Sequence, residues 1–256
     1  MLLTTNNQQR TTNKNKMSNS IQGRNVLITG ATKGIGKSIA YALAKEGCNL
    51  MLSARTTQAL ADLQKELSSL YPAIQIQYMA TDCGDMDQVK KLAAEALAHF
   101  NQIDILVNNV GVFIPSGFLD EAAESFANHM AVNVSCMHYL SVYFGKGMCK
   151  RGSGHVFNVG SIAGKSPFVK AASYSVTKYA VHGLTSVLRE EFGPYGVKVT
   201  EIIPGSTFTS SWEGVTIPEE RFVAATDIAQ AVVACLNMSK GANVDEIVIT
   251  PLHRDV

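Results

Sequence analysis

Seven short apolar runs recur along the chain, at residues 26–29, 49–53, 74–80, 103–108, 155–159, 197–203 and 246–250. Each has the length of a strand, and several are rich in β-branched residues. Between them, apolar positions recur with helical spacing over 35–46, 86–100, 124–150, 173–192 and 227–237. Gly47 follows the first of these as a C-cap, and Asp85 precedes the second as an N-cap. Strands alternating with helices imply crossover units. The expected architecture is therefore an α/β fold: one doubly wound domain with a seven-stranded parallel sheet and helices on both faces.

Two segments break the pattern. Residues 1–20 are rich in Asn, Gln and Thr and read as a disordered tail, with the folded domain running over 21–256. Met1-Leu2-Leu3 is far short of the roughly 7–15 apolar residues of a secretory signal core. Met17 stands just before the folded pattern and is a candidate natural start. Residues 204–226 carry Pro204, Gly205, Pro218 and many hydroxyls. A loop of that length is usually functional, and it is assigned to the substrate.

Composition narrows the class. Apolar residues make up 46% and charged residues 17%, enough for a sizeable core, and the formal net charge is +1. A nucleic-acid or membrane-surface protein would need a basic excess or patch. No apolar run approaches the roughly 18 residues of a membrane span. Cys48, Cys83, Cys136, Cys149 and Cys235 are scattered, with no C-x-x-C pair, which fits reduced thiols and a cytoplasmic setting. The histidines at 99, 129, 138, 155, 182 and 253 show no ligand spacing with a nearby acid or cysteine, so no metal site is expected.

The first strand runs directly into Thr29-Gly30-Ala31-Thr32-Lys33-Gly34-Ile35-Gly36 and then a helix. Glycines permit a tight turn and close backbone approach to a pyrophosphate, and the helix N-terminus offers free N–H groups. In such dinucleotide sites an acid at the end of the second strand holds the ribose 2′-hydroxyl of NAD. That strand ends Ser53-Ala54-Arg55 here. Arg55, with Lys33 in the turn, suits the 2′-phosphate of NADP(H) instead. Asp82, after the third strand, is an adenine contact or a cap for the next helix.

Tyr174 and Lys178 lie four residues apart in a helical stretch and so share a face. An ammonium about 4 Å from the phenol, at an effective dielectric near 20, favours the phenolate by up to about 4 kcal/mol. Such a tyrosine becomes a general acid/base. Gly160-Ser161 follows the fifth strand. Asn108-Asn109-Val110-Gly111 closes the fourth strand at the same sheet edge, where open α/β sheets bind ligands.

These pieces taken together resemble the short-chain dehydrogenase/reductase family over residues 23–250. T-G-A-T-K-G-I-G, N-N-V-G, Asn133, N-V-G-S, Y-S-V-T-K and P-G appear in family order. The resemblance implies a Rossmann fold and gives each position a role. Tyr174 would exchange a proton with the substrate oxygen, and Ser161 would orient that oxygen. Lys178 would lower the tyrosine pKa and hold the nicotinamide ribose, and Asn133 would hold a water in a proton relay. Gly30, Thr32, Lys33, Gly34, Ile35, Gly36, Arg55, Asp82 and Asn109 would bind the nucleotide. Ile203, Pro204, Gly205, Thr207 and Thr209 would seat the nicotinamide. Two positions depart from the family pattern. Val110 replaces the usual alanine, which is expected to weaken the adenosine side slightly. Gly160 replaces the first serine of a usual pair.

For the substrate, Phe113, Phe208, Trp212 and Phe222 offer flat apolar walls. P-G-S-T-F-T-S-S-W, D-I-A-Q-A-V-V and V-D-E-I-V-I-T-P are similar to segments of bacterial sepiapterin reductases. That implies a pterin side-chain ketone, with Asp255 on the guanidine-like ring edge. The expectation is an NADPH-dependent carbonyl reductase. The alternatives are a 3-oxoacyl carrier-protein reductase or, in another class, a non-catalytic NADP-binding sensor. By analogy with the family, the two long helices would pair the chain into a homodimer or homotetramer.

Overall fold

The computed structural model describes residues 21–209 and 216–253. Seven strands form one parallel sheet: β1 (Asn25–Thr29), β2 (Asn49–Ala54), β3 (Ile76–Ala80), β4 (Ile105–Asn108), β5 (Gly154–Val159), β6 (Val197–Pro204) and β7 (Glu246–Ile249). Their spatial order is β3-β2-β1-β4-β5-β6-β7. The winding reverses between β1 and β4, which pair through Ile28 and Val107. The crevice at their carboxyl ends is where such sheets take ligands. The expected seven-stranded parallel sheet is therefore present.

The helices are α1 (Gly34–Lys45), α2 (Thr57–Leu70), α3 (Met86–Phe100), α4 (Ser125–Met130), α5 (Cys136–Arg151), α6 (Ala172–Phe192) and α7 (Ala225–Leu236). The pleat of β1 explains how they divide. Val26 and Ile28 point into one apolar layer, with Ile39 and Leu43 of α1, Leu60 and Leu67 of α2 and Val232 of α7. Leu27 points into the other, with Val89 and Leu92 of α3, Leu140 and Phe144 of α5 and Leu188 of α6. Alternating residues of a strand face opposite sides, so a sheet covered on both faces reads as a continuous apolar run.

Local signals mark the helix ends. Gly47 takes φ +81°, a left-handed conformation that a Cβ would strain. Its N–H donates to Ala44 O at 2.9 Å and Cys48 N–H donates to Leu43 O at 3.0 Å, closing α1 in a Schellman motif. The Asp85 carboxylate accepts from the N–H groups of Asp87 and Gln88 and opens α3.

The pattern reading assigns no helix between the second and third strands, and the structure has α2 there. Its apolar face is only Leu60, Leu63 and Leu67, one residue per turn. The single helix expected over 124–150 is α4 and α5 joined by a wide π turn, Ala131–Ser135, in which Cys136 N–H donates to Ala131 O. Within 204–226, Thr207 and Val223 form an isolated parallel bridge. The expectations for residues 1–20, and for Trp212 and Asp255, lie outside the described residues. No helix among the described residues is long and apolar enough to cross a membrane. The five cysteines are free thiols, and Cys149 is the only one not fully buried.

Candidate functional site

The turn from β1 into α1 is shaped by what is missing from it. A Cβ on Gly36 would sit 2.3 Å from Gly30 O, and one on Gly30 would sit 2.8 Å from Asn109 Nδ2. Gly30 and Gly34 both have positive φ, +66° and +50°. Asn109 braces the turn by donating from Nδ2 to Thr29 O at 2.9 Å and Gly30 O at 3.1 Å. The Thr29 hydroxyl accepts from the N–H groups of Asn109 and Val110 at 3.0 and 3.1 Å, tying β1 to the end of β4. No side chain caps the N-terminus of α1. Its first N–H groups thus face the crevice with the positive end of the helix dipole, and such a cradle fits a pyrophosphate.

The remaining candidate nucleotide residues lie around this cradle. Lys33 and Arg55 are exposed at the turn and at the end of β2; Thr32 and Ile35 are half-buried. Ile35 packs on the apolar layer. Asp82 Oδ1 accepts from Gly84 N–H at 2.9 Å, so the carboxylate shapes the turn before α3. Pro204 ends β6, and the Thr207 hydroxyl donates to Gly205 O at 3.0 Å. Thr209 returns to the glycine turn, and a Cβ on Gly34 would meet its Cγ2 at 2.8 Å. A groove of about 660 Å³ runs there, lined by Gly34, Lys37, Tyr41, Phe208 and Thr209 among others.

The proton-handling candidates come from β5 and α6. Ser161 leaves β5 and caps a short 3₁₀ turn, its Oγ accepting from Ala163 N–H at 3.1 Å. Tyr174 is half-buried in the first turn of α6. Phe113 packs edge-on against it, with ring centroids 5.0 Å apart. Lys178, one turn on, is buried, and its Nζ donates to Val159 O at 2.8 Å. Asn133 is fully buried at the π turn, where wide turns often mark functional sites. Its Oδ1 accepts from Val112 N–H at 2.8 Å, and its Nδ2 donates to Thr177 Oγ1 at 3.0 Å. Asn133 Oδ1 and Lys178 Nζ meet across Gly111, where a Cβ would lie 3.5 Å from the first and 3.8 Å from the second. Asn133, Ser161, Tyr174 and Lys178 thus come together at one sheet edge.

The electrostatics correct one expectation. Lys178 Nζ lies 5.5 Å from the Tyr174 ring centroid. The Tyr174 pKa nevertheless lies above its ordinary value rather than below it: burial raises it, and the hydrogen bond from Ser161 opposes that. Burial lowers the Lys178 ammonium to about 8, opposed by the Glu201 carboxylate. Both groups are therefore poised by burial first, the tyrosine then by Ser161 and the lysine by Glu201.

Reading by spacing missed one cluster. His182, Glu201 and Glu246 bring their ligand-type atoms within 4.8 Å of one another. They lie on α6, β6 and β7, so no local spacing links them. His182 Nδ1 donates to Glu201 Oε2 at 2.7 Å, and Lys165 Nζ donates to both Glu246 oxygens at 2.7 and 2.8 Å. The cluster also bears on the departure at residue 160. A Cβ there would lie 2.4 Å from Glu201 Oε1, so a side chain at 160 would make this carboxylate shift from where it lies. The available signals were a charged residue inside an apolar strand and a histidine one turn beyond Lys178.

Comparison with known proteins agrees with this geometry. The short chain dehydrogenase family model matches residues 24–219. An uncharacterized oxidoreductase of Staphylococcus epidermidis is 34% identical over 227 residues, covering 88% of this chain and 96% of that protein. A metagenomic short-chain oxidoreductase solved in complex with NADP is 26% identical, with a TM-score of 0.79 over 91% of this chain and 99% of that one. An alcohol dehydrogenase from the archaeon Thermococcus sibiricus, complexed with 5-hydroxy-NADP, is 25% identical, with a TM-score of 0.83 over 90% and 97%. With its glycine turn, its Ser-Tyr-Lys arrangement and these relatives, the chain belongs to the short-chain dehydrogenase family.

Proposed function

We propose that the protein is an NADPH-dependent reductase of small-molecule carbonyl compounds. The observation that carries this reading is the convergence of Ser161, Tyr174, Lys178 and Asn133 at the sheet edge beside the glycine cradle. The structural relatives complexed with NADP and 5-hydroxy-NADP support the cofactor. Exposed Arg55 and Lys33, with no acid at the end of β2, favour the 2′-phosphate. The bound NADPH supplies the hydride.

The residues of this chain do the rest. Gly30, Gly34 and Gly36 admit the pyrophosphate to the backbone, Thr207 and Thr209 flank the nicotinamide end, and Lys178 holds the ribose hydroxyls. Ser161 hydrogen-bonds the substrate oxygen and orients it. Tyr174 donates its proton to that oxygen as the carbonyl becomes an alcohol. A phenol whose pKa lies above its usual value is protonated at neutral pH, the state a reductase needs. Asn133 supports a water-mediated proton return through Lys178.

The substrate reading rests on exposed aromatic rings. Phe113 lies against Tyr174 and is 44% exposed, so a flat or apolar ketone reaching Tyr174 finds a ring beside it, and Phe208 is 41% exposed in the groove beside the glycine turn. A pterin side-chain ketone is the specific proposal; Trp212 and Asp255 belong to it as sequence expectations. A cytoplasmic homodimer or homotetramer is the expected form. The test offers sepiapterin, diacetyl and a β-ketoacyl thioester with NADPH and with NADH, following the reduced-nicotinamide absorbance. Turnover with sepiapterin and NADPH is expected. Turnover of the thioester alone would replace the pterin reading with acyl-chain reduction, and NADPH binding with no turnover of any of them would favour a sensor.

A further inference from the structure

Helix α6 carries Tyr174, Lys178 and His182 at successive four-residue steps, so the three share one face. Opposite that face, β6 presents Glu201, whose side chain is only 2% exposed. A buried carboxylate is expensive unless charges and hydrogen bonds compensate it. His182 supplies one compensation, with Nδ1 at 2.7 Å. Beyond it lie Glu246 on β7, 3.8 Å from His182, and Lys165 after β5, which pairs with Glu246. Tyr174, Lys178 and His182 from α6, Glu201, Glu246 and Lys165 are the titratable groups gathered around this face.

Gly160 joins the carboxylate to the lysine. Glu201 Oε1 occupies the space a Cβ at 160 would fill. The preceding residue, Val159, offers the carbonyl that holds Lys178 Nζ. The missing side chain therefore lets a negative charge lie against the same short piece of β5 that anchors the ammonium. We propose that Glu201 is a positioning residue, the buried counter-charge that keeps Lys178 an ammonium, and that His182 and Lys165 keep Glu201 ionised. This deepens the reductase reading, on which the role of Lys178 rests.

The balance of effects fits. Burial alone favours the neutral amine of Lys178, and the Glu201 carboxylate is the group that opposes it. Burial likewise favours the neutral acid of Glu201, and His182 opposes that. Each charge thus depends on the next along the chain Lys178–Glu201–His182.

The test uses the cofactor-free protein labelled with ¹³C at lysine Cε. The Lys178 resonance is identified by its absence in Lys178→Arg and titrated in wild type, Glu201→Gln and His182→Gln. In wild type it is expected to titrate near pH 8. In Glu201→Gln the midpoint is expected about one unit lower. In His182→Gln it moves the same way by less, because Glu201 then holds its proton to higher pH. His182 is half-exposed, so that variant decides the matter where Glu201→Gln fails to fold. Midpoints unchanged in the variants that fold would overturn the proposal. Where the protein turns over, the alkaline limb of kcat/KM is expected to shift with the resonance. A shifted midpoint in a protein that reduces no carbonyl would keep the counter-charge and discard the reductase reading; reduction with an unmoved midpoint would do the opposite.

Discussion

Around the turn from β1 into α1, the chain offers a ligand backbone and almost no side chain. At the ends of β5 and β6 it offers buried charge. In the first region Gly30, Gly34 and Gly36 clear the space, and Asn109 fixes the turn through bonds to Thr29 and Gly30. In the second, Lys178 and Glu201 are almost completely buried and hold their charges through Val159, His182 and each other. The first is robust to pH and intolerant of bulk. The second tolerates few changes of charge, and its behaviour follows pH. Binding and chemistry are therefore separable, and substitutions can remove one while leaving the other.

The largest separation is expected at Tyr174. Tyr174→Phe removes the proton donor and should lower turnover by about 10²–10⁴-fold while NADPH still binds, as read by steady-state rates beside fluorescence titration. Gly36→Ala is its mirror image. Its Cβ would meet Gly30 O at 2.3 Å, so the turn must open. NADPH binding should fall beyond about tenfold, and overpacking should lower stability by about 1–3 kcal/mol in denaturant unfolding. Arg55→Ala should weaken NADPH by roughly tenfold and leave NADH nearly unchanged, since only the 2′-phosphate distinguishes them. Equal weakening of both would contradict the NADP assignment.

The last prediction bears on stability rather than on cofactor binding or turnover and concerns a residue outside both regions. His155 is buried on β5, stacked on Phe157 at 4.0 Å and bonded to Thr200 Oγ1 at 2.8 Å. Burial lowers its pKa from 6.5 to about 3. The unfolded chain therefore binds the proton first, and stability is lost as pH falls from about 6.5 toward 3. His155→Gln should flatten that part of the melting-temperature profile.

Legibility from sequence follows the same division. The glycine turn, the Gly47 and Asp85 caps and the Tyr174–Lys178 spacing are local, so residue order carries them. The parallel sheet is legible because the central strands β1, β2 and β4 read apolar on both faces. Helix α2 is harder to see because its buried stripe, Leu60, Leu63 and Leu67, is thin between polar residues. The π turn at Asn133 leaves the helical period almost intact. Glu201, His182, Glu246 and Lys165 meet only through the pairing of β5, β6 and β7 and the packing of α6, which no spacing records. Gly160 reads as a departure from a family pair until Glu201 is seen in the space beside it.

The most direct measurement of the central claim is paired: NADPH affinity and NADPH-dependent ketone reduction in wild type and Tyr174→Phe. Reduction by wild type, with turnover lost and affinity kept in the variant, is the predicted result. Reduction at wild-type rate by Tyr174→Phe would contradict the account, because the proton would then come from elsewhere.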